Sequence, residues 1–164
     1  MVYGQPVTMK KPTLYIIHGF LGSGKTTFSQ KLSLETGAVH INPDEWCVRL
    51  FDTKDYEQHW EKCFDETVHT LWEKAAEYLR NGTDVIFDMG FWDRQSRDHA
   101  QSMAAKCNAD FKHYYLYVPD DIAQGRLLSR SGEIAEHNVR NFDEIKKRFS
   151  EPDSDEEVII IHNY

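Results

Sequence analysis

The chain has only three cysteines in 164 residues, and Cys47, Cys63 and Cys107 form no C-x-x-C pair. A disulfide-stapled scaffold and a cysteine-built zinc module are thereby excluded, and a reduced, cytoplasmic setting is the expectation. The eight histidines are scattered without an H-E-x-x-H cluster, so no transition-metal centre is expected. No apolar run approaches the roughly 20 residues needed to span a bilayer. Residues 1–11 are mixed and polar, lack the apolar segment of a secretory signal, and read as a leader. Positive charge is also scarce: 19 Lys and Arg against 27 Asp and Glu give a net charge of −8. An extended nucleic-acid surface needs clustered cations, so a nucleic-acid partner is disfavoured and a small-molecule substrate fits better. Repeats and low-complexity stretches are missing apart from a short acidic run at 151–157, which leaves one domain over 12–164.

Against these absences stands one contiguous motif, Gly19-Phe20-Leu21-Gly22-Ser23-Gly24-Lys25-Thr26, which satisfies G-x-x-x-x-G-K-[ST]. Such a loop bends through positive φ and brings bare backbone N–H groups against phosphate oxygens. Lys25 adds charge for the β- and γ-phosphates, Thr26 offers a hydroxyl to Mg²⁺, and Thr27 follows at the start of the helix. The context is correct, with the apolar run Thr13–His18 as a buried strand before it and a helix to Glu35, stopped by Gly37, after it.

The rest of the chain alternates in the same way. Ala38–Ile41 reads as a second strand, with Asn42 capping a helix that opens on Pro43, Asp44 and Glu45. A long helix is predicted over 56–80 and stopped at Asn81-Gly82. It is followed by the strand Asp84–Asp88, a loop through Met89–Trp92, and a helix capped by Asp93 that runs to Cys107. Strand Phe111–Val118 and a helix opened by Pro119 come next, then a break at Ser131-Gly132, a helix over 138–149 and a last strand, Val158–Ile161. This order predicts an α/β, three-layer sandwich: a five-stranded parallel sheet carrying the phosphate loop, with a small helical lid at roughly 125–141. Ligands in such sheets bind beyond the carboxyl ends of the strands, where the loop, Asp44 and Asp88 converge.

Phosphoryl transfer requires that phosphate charge be neutralised, a metal be held and an attacking oxygen be aimed. Asp44 is the candidate base for an acceptor hydroxyl, with Glu45 in reserve, and Asp88, an acid closing an apolar strand, is the candidate Mg²⁺ residue. Arg126 and Arg130 are candidate lid cations over ATP, and Arg140 closes the far side. The acceptor site is expected between Asp44 and the segment Met89–Arg97. Trp46, Tyr56 and Arg49 lie on one side of it, and Phe91, Trp92, Arg94 and Arg97 offer stacking and anion contacts on the other. No N-K-x-D guanine-reading element occurs, which favours ATP and makes a regulatory nucleotide switch the weaker alternative.

Four segments, His18–Thr27, Ile41–Trp46, Val85–Asp88 followed by Arg94 and Arg97, and Gly125–Arg130, occur in an order that resembles a group of small P-loop kinases. The group includes the kinase domain of bacteriophage polynucleotide kinase, chloramphenicol phosphotransferase and zeta-toxin-type sugar-nucleotide kinases. The resemblance spans Thr13 to about Phe149 and implies an adenylate-kinase-like fold and an ATP-dependent kinase. Asp44 maps onto the family's acceptor-activating acid, and Arg130 onto the lid arginine that contacts the transferring phosphate. It implies an antibiotic-, nucleoside- or sugar-nucleotide-like acceptor, with a polynucleotide 5′-hydroxyl as the alternative. One departure weighs against polynucleotide: that kinase carries an arginine three residues after its base, where this chain has Cys47.

Overall fold

The structure is a computed structural model that describes residues 10–50 and 53–164, so residues 1–9 of the expected leader lie outside it. Five strands form one parallel sheet in the order β2-β3-β1-β4-β5: β1 Thr13–His18, β2 Val39–Ile41, β3 Val85–Gly90, β4 Asp110–Tyr117 and β5 Ile159–His162. Strand β1 is central and buried along its whole length. It is in register with β3 through Leu14 and Val85, and with β4 through Leu14 and Phe111.

Alternation along the strands separates two cores. Leu14, Ile16, Val85 and Phe87 face helix α3 (Thr53–Arg80) and helix α4 (Arg94–Lys106), where Trp72 stacks on Phe87 at 4.0 Å. Tyr15, Ile17, Ile86 and Leu116 face α1 (Lys25–Thr36) through Leu32. A third cluster, built on Phe20, Val118, Leu127 and Phe142, seats helix α5 (Asp120–Leu128) beside the phosphate loop. Each fully buried side chain of this kind stabilises the fold by about 1.5–3 kcal/mol. The three-layer α/β sandwich expected from the sequence is the one observed.

Local signals act as their chemistry dictates. The Asn42 side chain accepts from the N–H groups of Asp44 and Glu45, at 3.0 and 3.4 Å, and starts α2 (Pro43–Leu50). Asp93 accepts from the Ser96 N–H at 2.8 Å and starts α4. Two expectations are corrected. The single helix over 138–149 is instead α6 (Glu133–Arg140) and α7 (Phe142–Lys146), parted at Asn141, whose amide donates to the His137 carbonyl at 2.9 Å and ends the first helix. That break turns Phe142 inward onto the edge of the Phe20 ring. Strand β5 also starts one residue later than predicted. Among the described residues, no helix is long and apolar enough to cross a membrane.

Candidate active site

The phosphate loop leaves the end of β1, tied to β3 by the Gly19 N–H donating to the Gly90 carbonyl at 3.1 Å. Gly22 and Gly24 have φ of 74° and 87°, and a Cβ on either would lie within 2.6 Å of Ala123 or Asn163. Neither position tolerates a side chain. The loop's carbonyls are held from outside: Arg126 donates to Gly22 O at 3.2 Å and the Asn163 amide donates to Ser23 O at 2.8 Å. A second Arg126 nitrogen reaches the Asn163 carbonyl at 2.7 Å. Pinning these carbonyls outward leaves the amides at the start of α1 for an anion. Ser23 Oγ is buried without a hydrogen-bond partner, a further polar atom beneath the cradle. Donors, helix N-terminus and cradle all suit a polyphosphate.

Lys25 folds over this loop and donates to Phe20 O at 3.0 Å. Burial lowers its pKa; the negative charges of Asp88 and Asp44 oppose that effect, while Arg130 adds to it. Asp44, at the first turn of α2, is open to the cleft yet enclosed by surrounding protein. Its carboxyl is raised by burial, and Lys25 and Asp88 push it in opposite directions. One ammonium therefore lies within electrostatic reach of two carboxylates, as the sequence suggested. Thr26 and Thr27 are exposed beside them on the first turn of α1. Asp88 is 3% exposed on β3, and its Oδ2 lies 3.1 Å from His40 Nε2. Thr26 and Asp88 carry oxygens of the kind Mg²⁺ takes, a cation that uses few protein ligands and keeps water.

The remaining expectations divide. Arg130 and Arg140 border a cavity of about 250 Å³ between α5 and α6, floored by Leu127, Leu128 and Val139. Phe20 and Leu21 turn away from the cleft, and Phe20 packs at 5.3 Å from both Trp92 and Phe149. Trp46, 42% exposed, and Arg49 remain on the cleft-side helix α2, while the side chain of Tyr56 lies outside the described residues.

The opposite wall is different from the one expected. Phe91 is 1% exposed and packs in the core at φ 52°, and Trp92 covers Phe20. Arg94 donates four hydrogen bonds to Asp98, Asp153 and Asp155. Arg97 is buried against Glu156 and also donates to the carbonyls of Phe91 and Glu151. Phe91 therefore offers no open ring, Arg97 has no donor to spare for an anionic substrate, and the charge of Arg94 is already met by three carboxylates.

Several functional neighbours escaped sequence reasoning. His18 Nδ1 meets His113 Nε2 at 3.0 Å directly beneath the loop, and His18 Nε2 meets Ser150 O at 3.0 Å. Alternation along β2 and β3 puts His40 on the Asp88 side, a signal available once the pairing was known. Asn163 had none, because its partners Ser23 and Arg126 are 140 and 37 residues away in sequence.

Residues 14–152 match the family model described as an AAA domain. No curated protein matches the chain by sequence. Among solved structures, a candidate kinase from Chloroflexus aurantiacus J-10-fl superposes with a TM-score of 0.74 at 19% identity, covering 93% of this chain and 87% of the other. An unliganded sugar kinase from Janibacter sp. HTCC2649 gives 0.68 at 17% identity, covering 92% and 84%. A chain of the Pnkp1/Rnl/Hen1 RNA repair complex gives 0.60 at 19% identity, over 90% of this chain and 49% of that one. At such identities the likeness is one of fold, and it agrees with the resemblance to small P-loop kinases. With its phosphate loop and the strands β2, β3 and β4 inside the matched segment, which covers most of its length, the chain belongs to the AAA domain family.

Proposed function

We propose that the protein is an ATP-dependent phosphotransferase that moves the γ-phosphoryl group of ATP to a hydroxyl of a small molecule, in a cytoplasmic setting. The observation that carries this reading is the phosphate loop itself, with Lys25 folded over it and two of its carbonyls held by Arg126 and Asn163, so that its amides are left for an anion. Loop amides and Lys25 bind the triphosphate, with Arg126 and Asn163 holding the loop in shape. Thr26 and Asp88 would hold Mg²⁺, which when bound neutralises phosphate charge.

Asp44 accepts the acceptor's hydroxyl proton while the new O–P bond forms; the bond from the γ-phosphorus to its bridging oxygen breaks, and ADP leaves with that electron pair. Burial makes Asp44 a stronger base than a surface carboxylate, and burial is what raises it. Arg130, whose charge is felt at Lys25, stabilises the spread charge of the transferring group. Because Arg94 and Arg97 are spent on carboxylates, Trp46 and Arg49 are the side chains left to meet the acceptor. The acceptor class this suits is a compact, weakly anionic alcohol.

The test is transfer of labelled phosphate from ATP across antibiotics, nucleosides, sugars, sugar nucleotides and 5′-hydroxyl oligonucleotides, with Asp44→Asn beside the wild type. The substitution should lower transfer by about 10² or more and leave ATP affinity nearly unchanged. Equal turnover by both proteins would remove Asp44 from its role. The fold shared with the RNA repair chain makes polynucleotide ends the second reading, and transfer confined to oligonucleotides would select it.

A further inference from the structure

The buried carboxylate of Asp88 has a partner that nothing in the phosphate-loop motif calls for. His40 sits on the edge strand β2 in register with Ile86, so its ring lies on the same face of the sheet as Asp88, two residues further along β3. Its Nε2 is 3.1 Å from Asp88 Oδ2, and its side chain is 16% exposed. An ionised carboxylate only accepts, so this nitrogen carries the hydrogen. Among the described residues, this is the one hydrogen bond made by the Asp88 side chain. Among the described residues the other oxygen, Oδ1, has no hydrogen bond, and the group lies within electrostatic reach of Lys25 and Asp44.

We propose that His40 is the positioning residue of the metal site: its N–H fixes the rotation of the Asp88 carboxylate and so reserves Oδ1 for the divalent cation or the water that cation carries. A carboxylate free to rotate must be ordered when the metal binds, and that entropy weakens binding; one already held by a neighbour escapes this cost. Outer-shell partners of this kind are typically worth 10- to 100-fold in metal affinity. The proposal rests on the reading of Asp88 as the Mg²⁺ acid given above. It goes further by assigning metal affinity to a side chain that touches neither metal nor nucleotide.

The experiment uses Mn²⁺ as a paramagnetic probe and follows its binding to the protein–ADP complex by electron paramagnetic resonance. ADP affinity in EDTA is measured in parallel. Wild type, His40→Ala, His40→Asn, His40→Gln and Asp88→Asn are compared after circular dichroism has shown which of them fold. His40→Ala and the shorter His40→Asn should each weaken Mn²⁺ by about ten- to a hundredfold. His40→Gln, whose amide N–H reaches about as far as Nε2, should recover most of that loss. ADP affinity without metal should be the same in the wild type and the three His40 variants.

Mn²⁺ binding to His40→Ala and His40→Asn at wild-type strength overturns the proposal, as does a His40→Gln protein as weak as His40→Ala. If His40→Ala does not fold, the comparison of His40→Asn with His40→Gln decides alone. A wild type that binds Mn²⁺ with ADP while Asp88→Asn binds it equally well refutes the role of Asp88, and that of His40 with it. A wild type that binds no ADP at all strikes instead at the phosphotransferase reading, so the two failures are distinct.

Discussion

The guanidinium of Arg97 meets the carboxylate of Glu156 as a two-pronged pair, Nε to Oε1 at 2.7 Å and Nη2 to Oε2 at 2.9 Å, inside the protein. Its remaining nitrogen donates to the Phe91 carbonyl and to Ser150. One side chain therefore links the turn after β3, where Phe91 holds a positive φ, to the acidic segment ahead of β5. Burial alone would raise the Glu156 carboxyl, but the Arg97 fork and the Asp153 N–H bring it below its ordinary range.

Arg97→Ala should therefore act on stability before it acts on catalysis. It strands a buried carboxylate and removes the hydrogen bond that holds the Phe91 turn, a loss of about 3–5 kcal/mol by analogy with other broken buried pairs. Guanidinium unfolding of the wild type and variant would show it as a lowered midpoint. A variant with an unchanged midpoint but a raised KM for the phosphate acceptor would return Arg97 to substrate binding.

The two histidines under the loop make a prediction about acid. Ser150 O only accepts, so His18 Nε2 carries the hydrogen. Its Nδ1 is then bare and accepts from His113 Nε2–H, which makes the His18 ring neutral, while burial keeps His113 neutral although its Nδ1 lies 3.8 Å from Glu156. Burial, then the charge of Arg97, hold His18 down to about 3. Burial, reinforced by Arg97 and opposed by Glu156, holds His113 down to about 4. In the unfolded chain both titrate near 6.5. Below that pH the unfolded state takes up protons that the folded state refuses, so stability falls as pH drops from about 6.5 towards 4, and is flat for these groups above 6.5. The slope is about 1.4 kcal/mol per pH unit for each histidine. Urea midpoints from pH 7.5 to 4.5 should show this decline, and His113→Gln should remove about half of the histidine contribution. A flat profile in the wild type would contradict the neutral pair.

Which parts of this arrangement were legible in the sequence follows from the range of the forces involved. The phosphate loop, the Asn42 and Asp93 caps and the alternation of strands with helices are set by neighbours a few residues apart, and they appear where local chemistry places them. Lys25, Asp44 and Asp88 were also legible, because parallel strands deliver their carboxyl ends to one edge. Arg97 was misread because Glu156, its partner, is 59 residues away and looked like part of a solvated acidic run. Phe91 was misread because an aromatic beside a glycine looks like a loop residue until Trp72 and Phe87 are seen packed on it. The split between α6 and α7 depends on where Phe142 finds its pocket, which is a tertiary fact.

The last prediction concerns the outer side of the phosphate loop. Asn163 donates to the Ser23 carbonyl at 2.8 Å, accepts from Arg126 at 2.7 Å through its own carbonyl, and fills the space that a Cβ on Gly24 would need. Removing the amide in Asn163→Ala frees one loop carbonyl to rotate, which competes with the inward pointing of the amides. One hydrogen bond of this kind is worth about 1 kcal/mol, so nucleotide should bind roughly fivefold more weakly, with the melting temperature little changed because the lost contact lies at the cleft's surface. Gly24→Ala should be far more severe, since the new Cβ would meet Asn163 Nδ2 at 2.5 Å on a backbone at φ 87°. Combining the two substitutions tests the geometry directly. Asn163→Ala removes the atom that the Gly24→Ala methyl would strike, so the double variant should bind nucleotide better than Gly24→Ala alone. Strictly additive losses, measured by calorimetry with magnesium–ATP, would show that these residues do not share the contact.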